Sequence, residues 1–135
     1  MRKLFSAKYT SWSVSLSMLV LRLVMGGMML THGWPKLINF PSRVNSFSDP
    51  LHVGKTASLG MVVFAEVFCS VFIILGLLTR LASVPLIICM SVVIFMIHAG
   101  DPVNKIELPA LFLASFVAIL FTGPGRVSID GLLSK

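Results

Sequence analysis

"LRLVMGGMMLTHGWPKL", residues 21–37, is apolar enough to belong in a bilayer, yet it carries an arginine and closes on a histidine, a tryptophan, a proline and a lysine. Extended back to Trp12, the run covers Trp12 to Trp34. That meets the requirement of about 20 mostly apolar residues for a membrane-spanning helix. Three further runs qualify: Ala57 to Leu78, Leu81 to His98, and Ile106 to Thr122. The pattern predicts an all-α integral membrane four-helix bundle, one domain over residues 1–135.

Composition agrees with the pattern. The chain is 56% hydrophobic and 12% charged, where an ordinary soluble domain is roughly 25% charged. A water-soluble core and shell cannot be built from that balance. The net charge of +6 does not indicate nucleic acid, because the basic residues fall between apolar runs and leave no basic, aromatic-interleaved soluble surface. They read as topology signals and lipid-headgroup contacts. Cys69 and Cys89 each lie inside an apolar run without CxxC spacing, as small hydrophobes rather than a redox or metal pair. The basic segment "MRKLFSAKYTSW" leads into a run too long for a signal-peptide core of about 7 to 15 residues. It is expected to be retained as the start of the first span.

Four spans put both termini on one side. That side carries Arg2, Lys3, Lys8, Arg80, Arg126 and Lys135, against Lys36, Arg43, Lys55 and Lys105 opposite. The positive-inside rule then places both termini in the cytoplasm. The loop "PKLINFPSRVNSFSDPLHVGKT" is expected to hug the membrane surface, since Leu37, Ile38, Phe40, Phe47 and Leu51 would not stay in water. The short "LLTRLAS" makes spans two and three a tight antiparallel hairpin. In "NKIELP", Asn104 is placed to cap the fourth helix, with Glu107 reaching back.

The polar residues at membrane depth carry the functional reading. Arg22 and Glu66 lie near the centres of two antiparallel spans, which predicts that they meet. An unpaired charge at mid-bilayer costs at least about 2.5 to 3.5 kcal/mol. Such a pair serves either as glue between helices or as the wall of a ligand cavity. Gly26 and Gly27 let a backbone or a ligand approach closely, and Met25, Met28 and Met29 lie on neighbouring turns. A cavity bounded by Arg22, Gly26, Met29 and Glu66, opening toward His32 and His98, is therefore expected. His32, His98 and Glu107 come to one membrane level, where they could exchange protons with a ligand. They lack the spacing of a metal motif, so no metal is assigned. Lys36, one turn beyond His32, is read as reaching the headgroups by snorkelling. At the opposite level, Arg80, Arg126 and Asp130 form a charge clamp that ties the carboxyl-terminal tail under the hairpin.

In this order and at four-helix spacing, "LRLVMGGMMLTHGWPKL", the glutamate of "VFAEVFCSVFIILGLLTRLAS", "IFMIH" and "GPGRVSID" resemble the DoxX family of small membrane proteins. The likeness runs from about Leu19 to Asp130. The family takes its name from a likeness to membrane subunits of archaeal thiosulfate:quinone oxidoreductase, and many members are bacterial inner-membrane proteins. The resemblance implies quinone-linked redox chemistry only by analogy. No intrinsic cofactor is expected, and a bound quinone is the ligand the analogy suggests. A redox role would need a partner protein that carries flavin, haem or thiol. The alternative is a non-catalytic anchor or assembly module for partner proteins. A solute carrier is disfavoured, because four helices enclose little space unless the chain forms a homo-oligomer.

Overall fold

A computed structural model describes residues 8–134, so the topology signals Arg2, Lys3 and Lys135 lie outside the described residues. Four helices have the length and apolarity to cross a membrane: α1 (Ser11–Ile38), α3 (Lys55–Leu75), α4 (Thr79–Ile97) and α5 (Val103–Thr122). Two short helices join them, α2 (Phe40–Arg43) between α1 and α3, and α6 (Ile129–Leu133) after α5. No strand occurs among the described residues. The all-α membrane bundle is therefore what the chain forms, with α1 packed along α3 and α4 along α5.

Each boundary has a local cause. The Thr10 hydroxyl accepts from the Ser13 amide while Ser13 returns the bond, a capping box that starts α1. α1 continues through Pro35 to Ile38, so His32 and Lys36 sit on one continuous helix. Gly76, with φ of 69°, ends α3 in the left-handed conformation that glycine adopts without a Cβ clash. α5 begins at Val103, with Pro102 at the capping position and no side-chain cap. The expected Asn104–Glu107 box therefore does not form: the helix starts early enough to put Asn104 inside the first turn, and Glu107 is exposed.

The main core joins Met29, Cys69, Ile73, Leu86, Phe112 and Phe116, all nearly or wholly buried. A second cluster lies where the α1–α3 connection folds back: Leu37, Phe40, Val44 and Phe47 cover Leu59, Val63 and Val67. Two of the residues expected to avoid water, Ile38 and Leu51, stay exposed. Outside, Leu16, Val20, Leu23, Ile88, Leu111 and Phe121 form an apolar girdle, the surface that hydrocarbon rather than water would cover. Trp12 and Trp34 are exposed near the two ends of α1, as interfacial tryptophans are.

Two segments depart from α-helical winding. Phe64–Cys69 within α3 and Val93–Ile97 at the end of α4 are π-helical. An extra residue per turn there redirects the side chains, and such turns are common at functional sites.

Candidate functional site

The stagger of α1 against α3 decides which charges meet. A Cβ on Gly26 would fall 2.8 Å from Ile74 Cγ1 and 3.2 Å from Ser70 O; one on Gly33 would fall 2.7 to 2.8 Å from Glu66 and Val67. Both glycines are therefore contact points between backbones. They fix Gly33 beside Glu66 and bring Arg22 opposite Gly76, where a Cβ would collide with Arg22 Nη1.

The expected Arg22–Glu66 pair does not form. α1 has 28 residues, about 42 Å at ~1.5 Å per residue, against a hydrocarbon core of about 30 Å. Its midpoint is thus not level with that of α3. Arg22 is 1% exposed and turns to the tail, donating from Nη1 to Pro124 O at 2.9 Å and from Nη2 to Val127 O at 2.7 Å. Glu66, 3% exposed, instead accepts from Lys36 Nζ at 2.5 Å. Lys36 thus turns inward to a carboxylate and does not serve chiefly as a headgroup contact. Gly26 is likewise a packing residue, against Ser70 and Ile74.

What surrounds Lys36 and Glu66 is the candidate site. An inner chamber of about 160 Å³ is lined by Met29, His32, Lys36, Glu66, Met90 and Phe112, among others. An apolar groove of about 430 Å³ runs past the same pair, walled by Phe64, Ile88, Cys89, Val92 and Ile97 and roofed by Phe47 and Leu51 of the connection. Both π-helical segments contribute: Glu66 lies in the first, and Val93, in the second, lines both spaces. The roof is tied down by Asp49, which accepts from the amides of Val53 and Gly54 and from the Ser58 hydroxyl. The Ser58 bond is the main reason that the Asp49 carboxyl lies below its ordinary pKa.

The three residues expected at one level are only partly gathered. His32 lines the chamber and meets Phe112 edge-on, with ring centroids 5.8 Å apart. His98 lines the groove, and its Nδ1 lies 2.9 Å from Asp101 Oδ2. That bond, with the nearby Lys105, holds the Asp101 carboxyl below its usual value. Glu107 lines neither space. The partners that sequence reasoning missed are Asp101 for His98 and Lys36 for Glu66. Among the described residues, no three His, Cys, Asp or Glu side chains are grouped to hold a metal ion.

At the other end the tail is clamped, though not by an Arg–Asp pair. The Asp130 carboxylate accepts from the amides of Leu78 and Thr79 and from the Thr79 hydroxyl, at 2.8 to 2.9 Å. Its own amide donates to Gly76 O. It caps α4, whose first amides have no intrahelical acceptor. Burial pushes the Asp130 carboxyl up, but these hydrogen bonds and the Arg22 charge outweigh burial and hold it below the ordinary range. Arg80 reaches only Phe121 O, at 3.5 Å, and Arg126 is anchored through its amide to the Ser15 hydroxyl.

A bundle of four apolar helices, with charged side chains hydrogen-bonded near both ends, defines a small integral membrane protein. The DoxX family model matches residues 17–99, more than half of the chain, and the protein belongs to that family. An uncharacterized membrane protein of Mycobacterium tuberculosis is 29% identical, over 88% of this chain and 82% of its own length. An uncharacterized protein of Haemophilus influenzae is 27% identical, over 85% of this chain and 89% of its own. No solved structure matches.

Proposed function

We propose that this DoxX protein is a quinone- or quinol-linked membrane subunit of a redox complex, with its ligand in the groove beside Lys36 and Glu66. The observation that carries the reading is the ion pair between partly exposed Lys36 and buried Glu66, on the shared wall of an apolar groove and a smaller chamber. At about 430 Å³ the groove falls within the range of about 300 to 1,000 Å³ usual for small-molecule sites, which are mostly apolar with a few polar groups. The fit is good on chemistry as well. A quinone-like head needs one or two polar contacts and its tail needs hydrocarbon. Lys36 Nζ can donate, Glu66 can accept, and Phe64, Ile88 and Val92 supply the apolar wall.

A bound quinone would supply two-electron, two-proton redox chemistry, its electrons exchanged with a partner protein that carries flavin, haem or thiol. The chain's own residues orient the head and manage protons. Glu66 stays hydrogen-bonded to Lys36 until a ligand competes for either. His98 Nδ1 is engaged by Asp101, which leaves Nε2 as the ring nitrogen that could exchange a proton with a ligand. The excess of basic residues on the terminal side supports a bacterial inner-membrane location with both termini in the cytoplasm, which puts this site at the outer side. Reporter fusions at Lys135 and within the 41–55 loop test the orientation; a periplasm-only reporter active at Lys135 would reverse it.

The binding test is titration of a short-chain quinone against purified protein, read by protection of the groove from crosslinking by a photoactivatable quinone analogue. Saturable protection that weakens in Glu66→Gln and in His98→Ala is expected. Absence of saturable protection, or protection unchanged from wild type in both variants, would favour the anchor or assembly module instead.

A further inference from the structure

We propose that the groove on the terminal face is a binding site for an anionic phospholipid, whose phosphate is held by Arg80 and Arg126. This groove, of about 1230 Å³, is separate from the Lys36–Glu66 site and shares no residue with it. Ser11 opens α1, Thr79 opens α4 and Thr122 closes α5, and all three line it. Three span ends at one level define the membrane interface, the depth at which a lipid phosphate lies.

Among the described residues, no acid is ion-paired to the two arginines at this groove. Gly123, with φ of 83°, lies directly under the Arg80 guanidinium: a Cβ there would come 3.2 Å from Nη2 and 3.3 Å from Nε. The missing side chain lets Arg80 lie against the turn, where its one protein acceptor is the distant Phe121 carbonyl. Arg126 is fixed in place by the bond from its amide to Ser15, and its side chain is exposed. Neither takes part in the ion pairs found among the described residues, which join Lys36 to Glu66 and Asp101 to His98 and Lys105. The groove's carboxylate, Asp130, is committed to Leu78 and Thr79. Guanidinium donors that lack a carboxylate suit phosphate oxygens, which they can bind in a two-point fork.

The apolar part of the groove selects a lipid over a free phosphate ion. Leu78 and Leu81 line it and are 52% and 66% exposed, so they continue into the lipid-facing girdle and offer a track for an acyl chain. The phenol of Tyr9, also lining the groove and 82% exposed, adds an interfacial aromatic at headgroup level. A phosphodiester with hydrocarbon attached matches all of these features. Basic pockets beside span ends are known to hold such headgroups.

Native mass spectrometry in mild detergent tests the site, with phosphatidylglycerol and phosphatidylcholine as separate probes. Wild type is expected to retain one phosphatidylglycerol at a concentration about tenfold to thirtyfold below that needed for phosphatidylcholine, the gain that two basic residues supply at a membrane surface. The Arg80→Gln/Arg126→Gln protein should lose that preference, and Arg80→Lys/Arg126→Lys should keep part of it. Arg43→Gln/Lys105→Gln, which removes the same charge from the opposite face, should retain it in full. Circular dichroism confirms that each variant is folded. Equal retention of both lipids by wild type overturns the proposal, as does an equal loss in the opposite-face variant. Displacement of the lipid by inorganic phosphate at equal concentration overturns it too, since it would identify a phosphate site that ignores the acyl chain.

Discussion

The sharpest test of the charge arrangement is a pair of double-mutant cycles, one on Lys36 and Glu66 and one on Arg22 and Glu66. Glu66 has a side chain 4% exposed and Lys36 one 23% exposed. Losing one partner of a fully buried pair costs about 3–5 kcal/mol, chiefly because the other charge is stranded. Water reaches Lys36, so Glu66→Gln, which strands the lysine, should cost less, about 1–3 kcal/mol. Lys36→Met, which strands the buried Glu66 carboxylate, should cost about 3–5 kcal/mol, and the double variant should lose less than the sum of the two. A coupling energy of about 0.5–3 kcal/mol is expected for residues in contact. Arg22→Met is a separate event. It removes two hydrogen bonds from a charged donor, worth about 1.5–3 kcal/mol each, and leaves the carbonyls of Pro124 and Val127 without partners. Eleven residues of helix separate Arg22 from Gly33, the residue packed on Glu66, or roughly 16 Å at ~1.5 Å per residue. At that distance the Arg22–Glu66 coupling should stay within about 0.5 kcal/mol. Reversible unfolding in mixed micelles, followed by circular dichroism, gives all six free energies. A coupling above about 1 kcal/mol between Arg22 and Glu66, or none between Lys36 and Glu66, would refute the stagger on which both assignments rest.

Three further outcomes are expected. Gly33→Ala, whose Cβ would press on the Glu66 backbone, should destabilise by about 1–3 kcal/mol through overpacking, while Gly27→Ala, with nothing within 4 Å, should be neutral or mildly stabilising; thermal melts compare them. The Asp130 carboxyl is held below its ordinary value in the folded protein, so its stabilisation is complete above the unfolded value of about 3.9 and is lost as pH falls through the folded one. Wild type should therefore lose stability between about pH 5 and pH 2 more steeply than Asp130→Asn, and parallel acid profiles would refute the capping role. Asp49→Ala should free the roof of the groove, read as faster amide hydrogen exchange across residues 47–54 with α5 unchanged; equal exchange in that segment would show that other contacts hold it.

Much of this arrangement was legible in the sequence, and the failures have physical reasons. Long apolar runs specify spans directly, because a bilayer accepts few other segments. The stagger of two helices is not written in their midpoints; it is set by where backbones can touch, here at Gly26 and Gly33. A clue did exist. Ser15, Met18, Arg22, Gly26, Met29 and Gly33 form one buried stripe at steps of three and four, and Lys36 continues it. A lysine in register with that stripe faces the bundle, where a carboxylate must meet it, so Lys36 could have been chosen over Arg22 as the partner of Glu66. The Asp130 cap was obscured by nearby arginines that invited an ion pair, although the amides after Gly76 needed an acceptor more. The π-helical segments left no mark in "FAEVFC" or "VIFMI". An inserted residue in a helix is a response to packing around it, and composition does not encode it.

The two ends of the bundle are built for different purposes, and their hydrogen bonds show why. On the terminal face, Arg22 and Asp130 bond mainly to main-chain groups, as fixed as the helices that carry them. A charge held by backbone is committed, because no rotamer change can release its partner. At the other end, Glu66 meets the end of a flexible lysine side chain, and His98 meets an aspartate that is itself partly exposed. Those partners can turn away at the cost of a rotamer. Both π-helical segments lie at this end and contribute residues to the chamber or the groove. Irregular winding and exchangeable ion pairs thus coincide with the chamber and the apolar groove in one half of the molecule, while the buried charges of the other half are committed to backbone. A protein that served only as a membrane anchor would have no need to confine its adaptable bonds to the walls of a cavity, and this asymmetry favours ligand binding over scaffolding.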